Sequence, residues 1–359
     1  MVVPEVYGGQ GLTADHAEAF NEEIVGYQYP VRLQVPPFTP CMAVILEFGT
    51  HEQRLAHVPA ILKGEEIWMQ MLSEPSGGSD VAGAQTTAVK DGEEWRLNGS
   101  KIWTTGAWWS DWALCLARTN WDVPKHRGLT VFMVPFRVAG LEMHRIEMLN
   151  GSKEFCQEFL TDVTIPDSDR IGEIDQGWTV GTRWMFYEKS FSISPLTIRP
   201  RARAGEEAPA GAEGGMGRIA AAAGRADDPV ARELIGESHA LDLVQAALSR
   251  RISSGIRGGT ISDQAAALTR LMSGVNAVRQ RTIAFELAGS TAVAWRDDDT
   301  ALNQTGIDFL MRQASCIGGG TTEMARNVIS ERVLGMPRER TVDRDIPFRD
   351  VPKSPPSRA

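Results

Sequence analysis

Cysteine and histidine are scarce in this chain. Of 359 residues, 4 are Cys and 6 are His. Cys41, Cys115, Cys156 and Cys316 are scattered, with no Cys-x-x-Cys pair, and no His-Glu-x-x-His occurs. Neither a disulfide framework nor a zinc site is suggested, and no structural metal is expected. No apolar run approaches the roughly 18 residues a spanning helix needs. The N-terminus, Met1-Val2-Val3-Pro4-Glu5, has neither a basic region nor an apolar leader. These absences predict a cytoplasmic, reduced protein. Basic residues are outnumbered, 37 Lys+Arg against 46 Asp+Glu, for a net charge of −9. An acidic chain is a poor match for nucleic acid or an anionic membrane. Hydrophobic residues at 42% and charged residues at 23% exclude a disordered or coiled-coil chain.

What is present falls into three textures. Residues 1 to about 66 read as helical after a turn at Pro4–Gly9. Thr13 or Asp15 is the expected N-cap of a first helix, and a second spans Thr50–Leu62 and stops at Gly64. From Ile67 to about Pro166 the period shortens. Trp95–Gly99 alternates and meets a turn signal at Asn98-Gly99, and Lys101–Gly106 is rich in β-branched and aromatic residues. Trp112–Ala117, Leu129–Val134 and Phe159–Thr164 are further strand candidates, together suggesting a small barrel or sandwich. Helical patterns return from Gly177, with Glu233–Ile252, Gln264–Leu287 and Thr322–Leu334 the best segments. Arg199–Asp228 reads as a loop excursion, and Pro352–Ala359 as a polar tail.

Four constellations carry chemistry. In Leu72-Ser73-Glu74-Pro75-Ser76-Gly77-Gly78-Ser79-Asp80, small residues allow backbone N–H groups to converge on an anion, with the Ser73 and Ser79 hydroxyls as donors; the plain alternative is a capped connecting loop. In Trp103-Thr104-Thr105-Gly106, strand alternation puts Trp103 and Thr105 on one face, suited to a flat heterocycle, or else simply buries the indole. In Gly177–Ser192, a helical period aligns Trp178, Gly181, Met185 and Glu188, with Trp184 and Phe191 alongside. A carboxylate buried in such a stripe gains basicity; one turned outward would pair with Arg183 or Lys189. In Ile317–Arg326, three glycines lead into a helix that Thr can cap, a start that favours a phosphate or a ring carbonyl or merely needs backbone freedom.

Together these segments resemble the flavin-dependent acyl-CoA dehydrogenase family. The resemblance rests on PEVYGG (Pro4–Gly9), SEPSGGSD (Ser73–Asp80), NGSKIWTTGA (Asn98–Ala107) and IGGGTTEMARNVISERVLG (Ile317–Gly335), in the family's order and across nearly the whole chain. It implies an α+β architecture: a helical N-terminal domain over residues 1–66, shorter than usual, a central β-barrel domain over 67–170 and a C-terminal four-helix-bundle domain over 171–359. It implies FAD between barrel and bundle, with Leu72, Ser73, Ser79, Trp103 and Thr105 toward the flavin and Thr321 and Glu323 toward the adenosine end.

Ser79 and Lys189 are implied near the acyl-CoA substrate. The implied reaction is α,β-dehydrogenation of a CoA thioester, in which a carboxylate takes the α-proton and flavin N5 the β-hydride. Many members place the base just before the Gly-Thr of the last motif, where this chain has Gly319. Others place it on the first long helix of the C-terminal domain, and Glu188 matches that position. Lys189 stands where many have Arg. No Arg-x-x-Phe-Gly segment is recognisable, and Glu286–Ser290 replaces the usual Gln-x-x-Gly-Gly. The implied partners are an electron-transferring flavoprotein and further subunits, in a homodimer, homotetramer or mixed hetero-oligomer. Two other functions stay open: a non-catalytic or half-site partner subunit, and a flavin oxidase or monooxygenase on the same scaffold.

Overall fold

The computed structural model describes residues 1–24, 27, 37–189, 194–197, 215–294, 300–341 and 343–352. It divides into two compact units. The first comprises residues 1–147, 153–201 and 339–359, and the second 148–152 and 202–338.

In the first unit, helices α1 (Ala14–Glu23), α2 (Met42–Phe48) and α3 (His51–Lys63) precede the sheet. Local sequence decides α3 almost completely. Thr50 Oγ1 accepts from Gln53 N while Thr50 N donates to Gln53 Oε1, a reciprocal cap, and Gly64 ends the helix at φ 74°. Of the two N-caps expected for α1, Thr13 holds the position and Asp15 lies in the first turn.

The sheet has eight strands: β1 (Trp68–Met71), β2 (Thr87–Asp91), β3 (Glu94–Thr105), β4 (Trp112–Arg118), β5 (Leu129–Pro135), β6 (Leu141–Ile146), β7 (Phe155–Pro166) and β8 (Arg170–Ile171). Their order is β6-β7-β3-β2-β4-β5-β8, with β1 parallel to β4. The strands β4 and β5 read as unbroken apolar runs because both of their faces are buried. Ala113, Cys115, Phe132 and Val134 enter one apolar cluster, while Leu114, Leu116, Val131 and Met133 enter the other, which includes residues of α2 and α3.

The turn expected at Asn98-Gly99 is not a turn. Strand β3 runs straight through it, and the β2–β3 hairpin closes at Gly92 instead. Gly99 serves close packing: a Cβ there would lie 2.7 Å from Thr86 Cα. The neighbouring irregularity belongs to β7, where Asp162 (φ 50°) is the extra residue and exchanges hydrogen bonds with Asn98.

Helix α4 (Gly177–Lys189) follows β8 and buries Val180 and Trp184 against β4 and β5. The segment 343–352 belongs to this unit as well. Phe348 N and Arg349 N donate to Val123 O and Trp121 O, and the Arg118 guanidinium lies 3.9 Å from the Phe348 ring centroid.

The second unit contains α5 (Gly215–Ala222), α6 (Pro229–Arg257), α7 (Ala266–Ala288), α8 (Thr300–Met311) and α9 (Thr322–Val328). Part of the excursion expected at Arg199–Asp228 is therefore helical. Met216, Ile219 and Ala220 of α5 pack with Ile283 and Leu287 of α7, which a loop reading of an alanine- and glycine-rich stretch overlooks. Residues 198–214 lie outside the described residues, as do 353–359 of the expected polar tail. The helix expected over Thr322–Leu334 is α-helical to Val328 and continues as a wider π turn over Ile329–Val333.

Candidate functional site

The sequence-predicted residues fall in both units. Leu72, Ser73, Ser79, Trp103, Thr105, Glu188 and Lys189 belong to the first, Thr321 and Glu323 to the second.

The Ser73–Asp80 loop leaves the end of β1, with residues 75–80 exposed. Glu74 and Gly77 exchange backbone hydrogen bonds, so those two amides are engaged within the loop rather than open to an anion. Beneath it lies a buried ion pair that sequence reading missed. Lys101 of β3 is fully buried; its Nζ donates to Glu74 Oε1 at 2.9 Å, Leu116 O at 2.7 Å and Leu72 O at 3.3 Å. Glu74 also accepts from the amides of Gln85 and Thr86. Burial alone would raise the Glu74 carboxyl, but Lys101 and these hydrogen bonds bring it below the ordinary carboxylate range. A signal was there: Lys101 opens a strand-like stretch rich in β-branched and aromatic residues, and a charge buried in a strand needs a partner. Ser73 O accepts from Ile102 N at 3.0 Å, so β3 grips this loop through both backbone and side chain.

Trp103 is the extra residue of a bulge. On β7, Gln157 and Cys156 are consecutive, but their partners on β3 are Ile102 and Thr104. Trp103 takes φ 67°, rare for a bulky side chain. The bulge breaks the alternation expected for Trp103 and Thr105. Thr104 becomes the buried residue, while Trp103 is 50% exposed and Thr105 partly covered. Phe155, the ladder partner of Thr105, meets the indole edge-on at 5.8 Å.

Helix α4 presents Glu188. Its buried face centres on Val180 and Trp184, with Trp178 and Tyr187 partly buried beside them. Trp184 Nε1 donates to Gln70 Oε1, tying α4 to β1 just ahead of the Ser73–Asp80 loop. Arg183, one of the two cations considered as a partner for Glu188, pairs with Glu47 at 3.1 Å and donates to Tyr187. Glu188 is partly buried and lies near Cys41. Burial first, and the Glu188 charge second, push the Cys41 thiol well above its ordinary range. Lys189 is the last residue of α4, and its side chain and Phe191 lie outside the described residues.

In the second unit, Thr321 is the N-cap of α9; its Oγ1 accepts from Met324 N at 3.1 Å, and its hydroxyl also hydrogen-bonds the Glu323 carboxylate. Glu323 is exposed and pairs with Arg326 at 3.3 Å. Hydrogen bonding to its own amide and to Thr322 holds its carboxyl below the ordinary range. Gly319 (φ 71°) and Gly320 (φ 91°) supply left-handed turns before the cap, and Arg270 of α7 donates to Gly318 O and Gly320 O.

Another titratable group that sequence reading missed is Glu158 of β7, which is fully buried and accepts from Thr104 Oγ1 at 2.8 Å. Burial pushes its carboxyl up to about 8.

Comparison with known proteins identifies the family. Residues 1–65 match the acyl-CoA dehydrogenase N-terminal domain and residues 70–163 the acyl-CoA dehydrogenase middle domain. The acyl-CoA dehydrogenase IpdE1 of Mycolicibacterium smegmatis is 30% identical over 347 residues, covering 94% of this chain and 84% of that protein. Among solved structures, the ChsE4–ChsE5 complex from Mycobacterium tuberculosis superposes with a TM-score of 0.75 at 25% identity, covering 94% of this chain and 86% of that one. The Tcur3481–Tcur3483 steroid ACAD has the same fold, with a TM-score of 0.76 at 23% identity, covering 94% and 85%. The chain belongs to the acyl-CoA dehydrogenase family, flavoprotein oxidoreductases that act on CH–CH bonds in lipid catabolism.

Proposed function

We propose that this chain is an FAD-dependent dehydrogenase that converts an acyl-CoA thioester into its trans-2-enoyl-CoA. The reading rests on one observation above all: a helix carrying a partly buried carboxylate, Glu188, is fastened by Trp184 to Gln70, at the root of the Ser73–Asp80 loop.

The residues present fit FAD. Trp103 offers a half-exposed indole in a fixed backbone geometry, Thr105 a neighbouring hydroxyl, and Leu72, Ser73 and Ser79 the loop that would line the flavin and its pyrophosphate. Thr321 and Glu323 would meet the adenosine end. When bound, FAD supplies the hydride acceptor. The chain's own work is to bind, orient and move one proton. Glu188 removes the α-proton of the thioester. Ser79 and Lys189 would hold the CoA thioester. A steroid-like acyl group is the substrate class suggested by the likeness to the Tcur3481–Tcur3483 steroid ACAD. The two-component relatives also favour a second reading, in which this chain is one half of a mixed pair and completes its site with another subunit. An electron-transferring flavoprotein would reoxidise the enzyme. The compartment we propose is cytoplasmic, consistent with the described cysteines being unpaired and with the absence, among the described residues, of a helix long and apolar enough to cross a membrane.

Anaerobic mixing of the purified yellow protein with a panel of acyl-CoA esters tests the reaction. Bleaching by one of them is expected, and no bleaching by any ester, alone or with a partner subunit, refutes it. Glu188→Gln should keep the flavin bound and slow bleaching by at least about a hundredfold. Unchanged kinetics would remove Glu188 as the base.

A further inference from the structure

Glu158 takes no part in the reaction just proposed, yet it is a carboxyl in the apolar interior of the sheet unit. On β7 it occupies the inward position between Cys156 and Leu160, and the ladder sets it opposite Lys101 of β3. Its Oε2 accepts from Thr104 Oγ1, while its Oε1 has no hydrogen-bond partner among the described residues. A leucine or valine here would avoid the desolvation a buried carboxyl incurs. What the carboxyl does is anchor Thr104, the residue directly after the bulge. Ile102, the residue directly before, is fastened by its amide to Ser73 O. Trp103 is thus clamped from both sides in a left-handed conformation that a tryptophan does not adopt unaided.

We propose that Glu158 is a positioning residue: by holding Thr104 it fixes the bulge that presents Trp103 to the flavin. This rests on the reading of Trp103 as a flavin-facing residue. The groups facing Glu158 are Lys101 from β3, Cys115 from β4 and Cys156 on its own strand, with Glu74 engaging the far side of Lys101.

The test titrates FAD into the apoprotein of four variants, following flavin fluorescence and near-ultraviolet circular dichroism, with thermal unfolding of each apoprotein alongside. Trp103→Ala tests the underlying reading; wild-type FAD affinity in that variant overturns it, and this inference with it. Thr104→Val and Glu158→Leu remove the anchor and should each weaken FAD about tenfold and flatten the tryptophan dichroism. Glu158→Gln keeps an acceptor for Thr104 and should bind FAD at pH 7 within about twofold of wild type. If Trp103→Ala weakens FAD while Thr104→Val and Glu158→Leu bind as wild type, Trp103 keeps its role and the positioning role of Glu158 is overturned. A lower melting temperature with unchanged affinity has the same consequence. So does a Glu158→Gln defect equal to that of Glu158→Leu. Should Glu158→Leu not fold, the isosteric Thr104→Val decides.

Discussion

The Ser73–Asp80 loop of the first unit and the Gly318–Glu323 turn of the second are both glycine-rich. Different forces hold them. Under the first lies a fully buried ammonium that touches a buried carboxylate and two backbone carbonyls. The second is held by a helix cap, by Arg270 bonded to backbone oxygens, and by an exposed ion pair between Glu323 and Arg326. Water screens the exposed pair but not the buried one. One glycine-rich loop is therefore rigid by burial of charge, the other by capping and backbone geometry. Glycine content alone does not distinguish them.

The largest effect expected is from Lys101→Met. It strands the Glu74 carboxylate inside the protein, and losing one partner of a buried pair costs on the order of 3–5 kcal/mol. Urea unfolding should show this loss, and Glu74→Gln added to Lys101→Met should recover part of it; a single variant as stable as wild type would place the loop's rigidity elsewhere. Thr321→Ala, in the other region, removes the cap of α9 and should cost about 1 kcal/mol by the same measurement. Arg326→Ala breaks only an exposed pair and should stay within about 0.5 kcal/mol of wild type, with added salt shrinking the difference further. A larger Arg326 effect would erase the contrast between the two regions.

Acidity sharpens the comparison further. Glu158 has a folded-state value of about 8 against an ordinary 4.5, so the fold favours its protonated form. Stability from this group is present in full below pH 4.5 and declines as pH rises toward 8, because the unfolded chain ionises first. Relative to wild type, Glu158→Gln should gain stability steadily between pH 4.5 and 8 and level off above. A flat difference across that window would mean that the carboxyl is solvated. Glu74 has the opposite sign. Its lowered value adds stability above the ordinary carboxylate range, lost as acid protonates it.

Much of the fold was legible because its signals are local. Thr50, Gln53 and Gly64 mark the two ends of α3 through side-chain chemistry within a few residues. Trp112–Ala117 and Leu129–Val134 announce strands through composition. The loop motif, Trp103, Thr321 and Glu188 likewise stand out as candidates from the pattern of their own segments. The failures share a cause. Asn98-Gly99 looks like a turn, and nothing nearby reveals that Thr86, just ahead of β2, lies so close that only glycine fits at position 99. Trp103 and Thr105 obey period two until a bulge, visible only in the pairing with β7, inserts a residue between them. Arg199–Asp228 looks like one loop because the apolar partners of α5 lie on α7, far along the chain.

The amino-acid sequence by itself determined the family and the order of helical and strand-forming blocks, since each depends on short-range pattern and composition. Tertiary structure alone decided which buried charges meet. Lys101 meets Glu74, and Glu158 meets Thr104, because the fold sets distant positions side by side, and a buried polar group needs the partner that this brings to it.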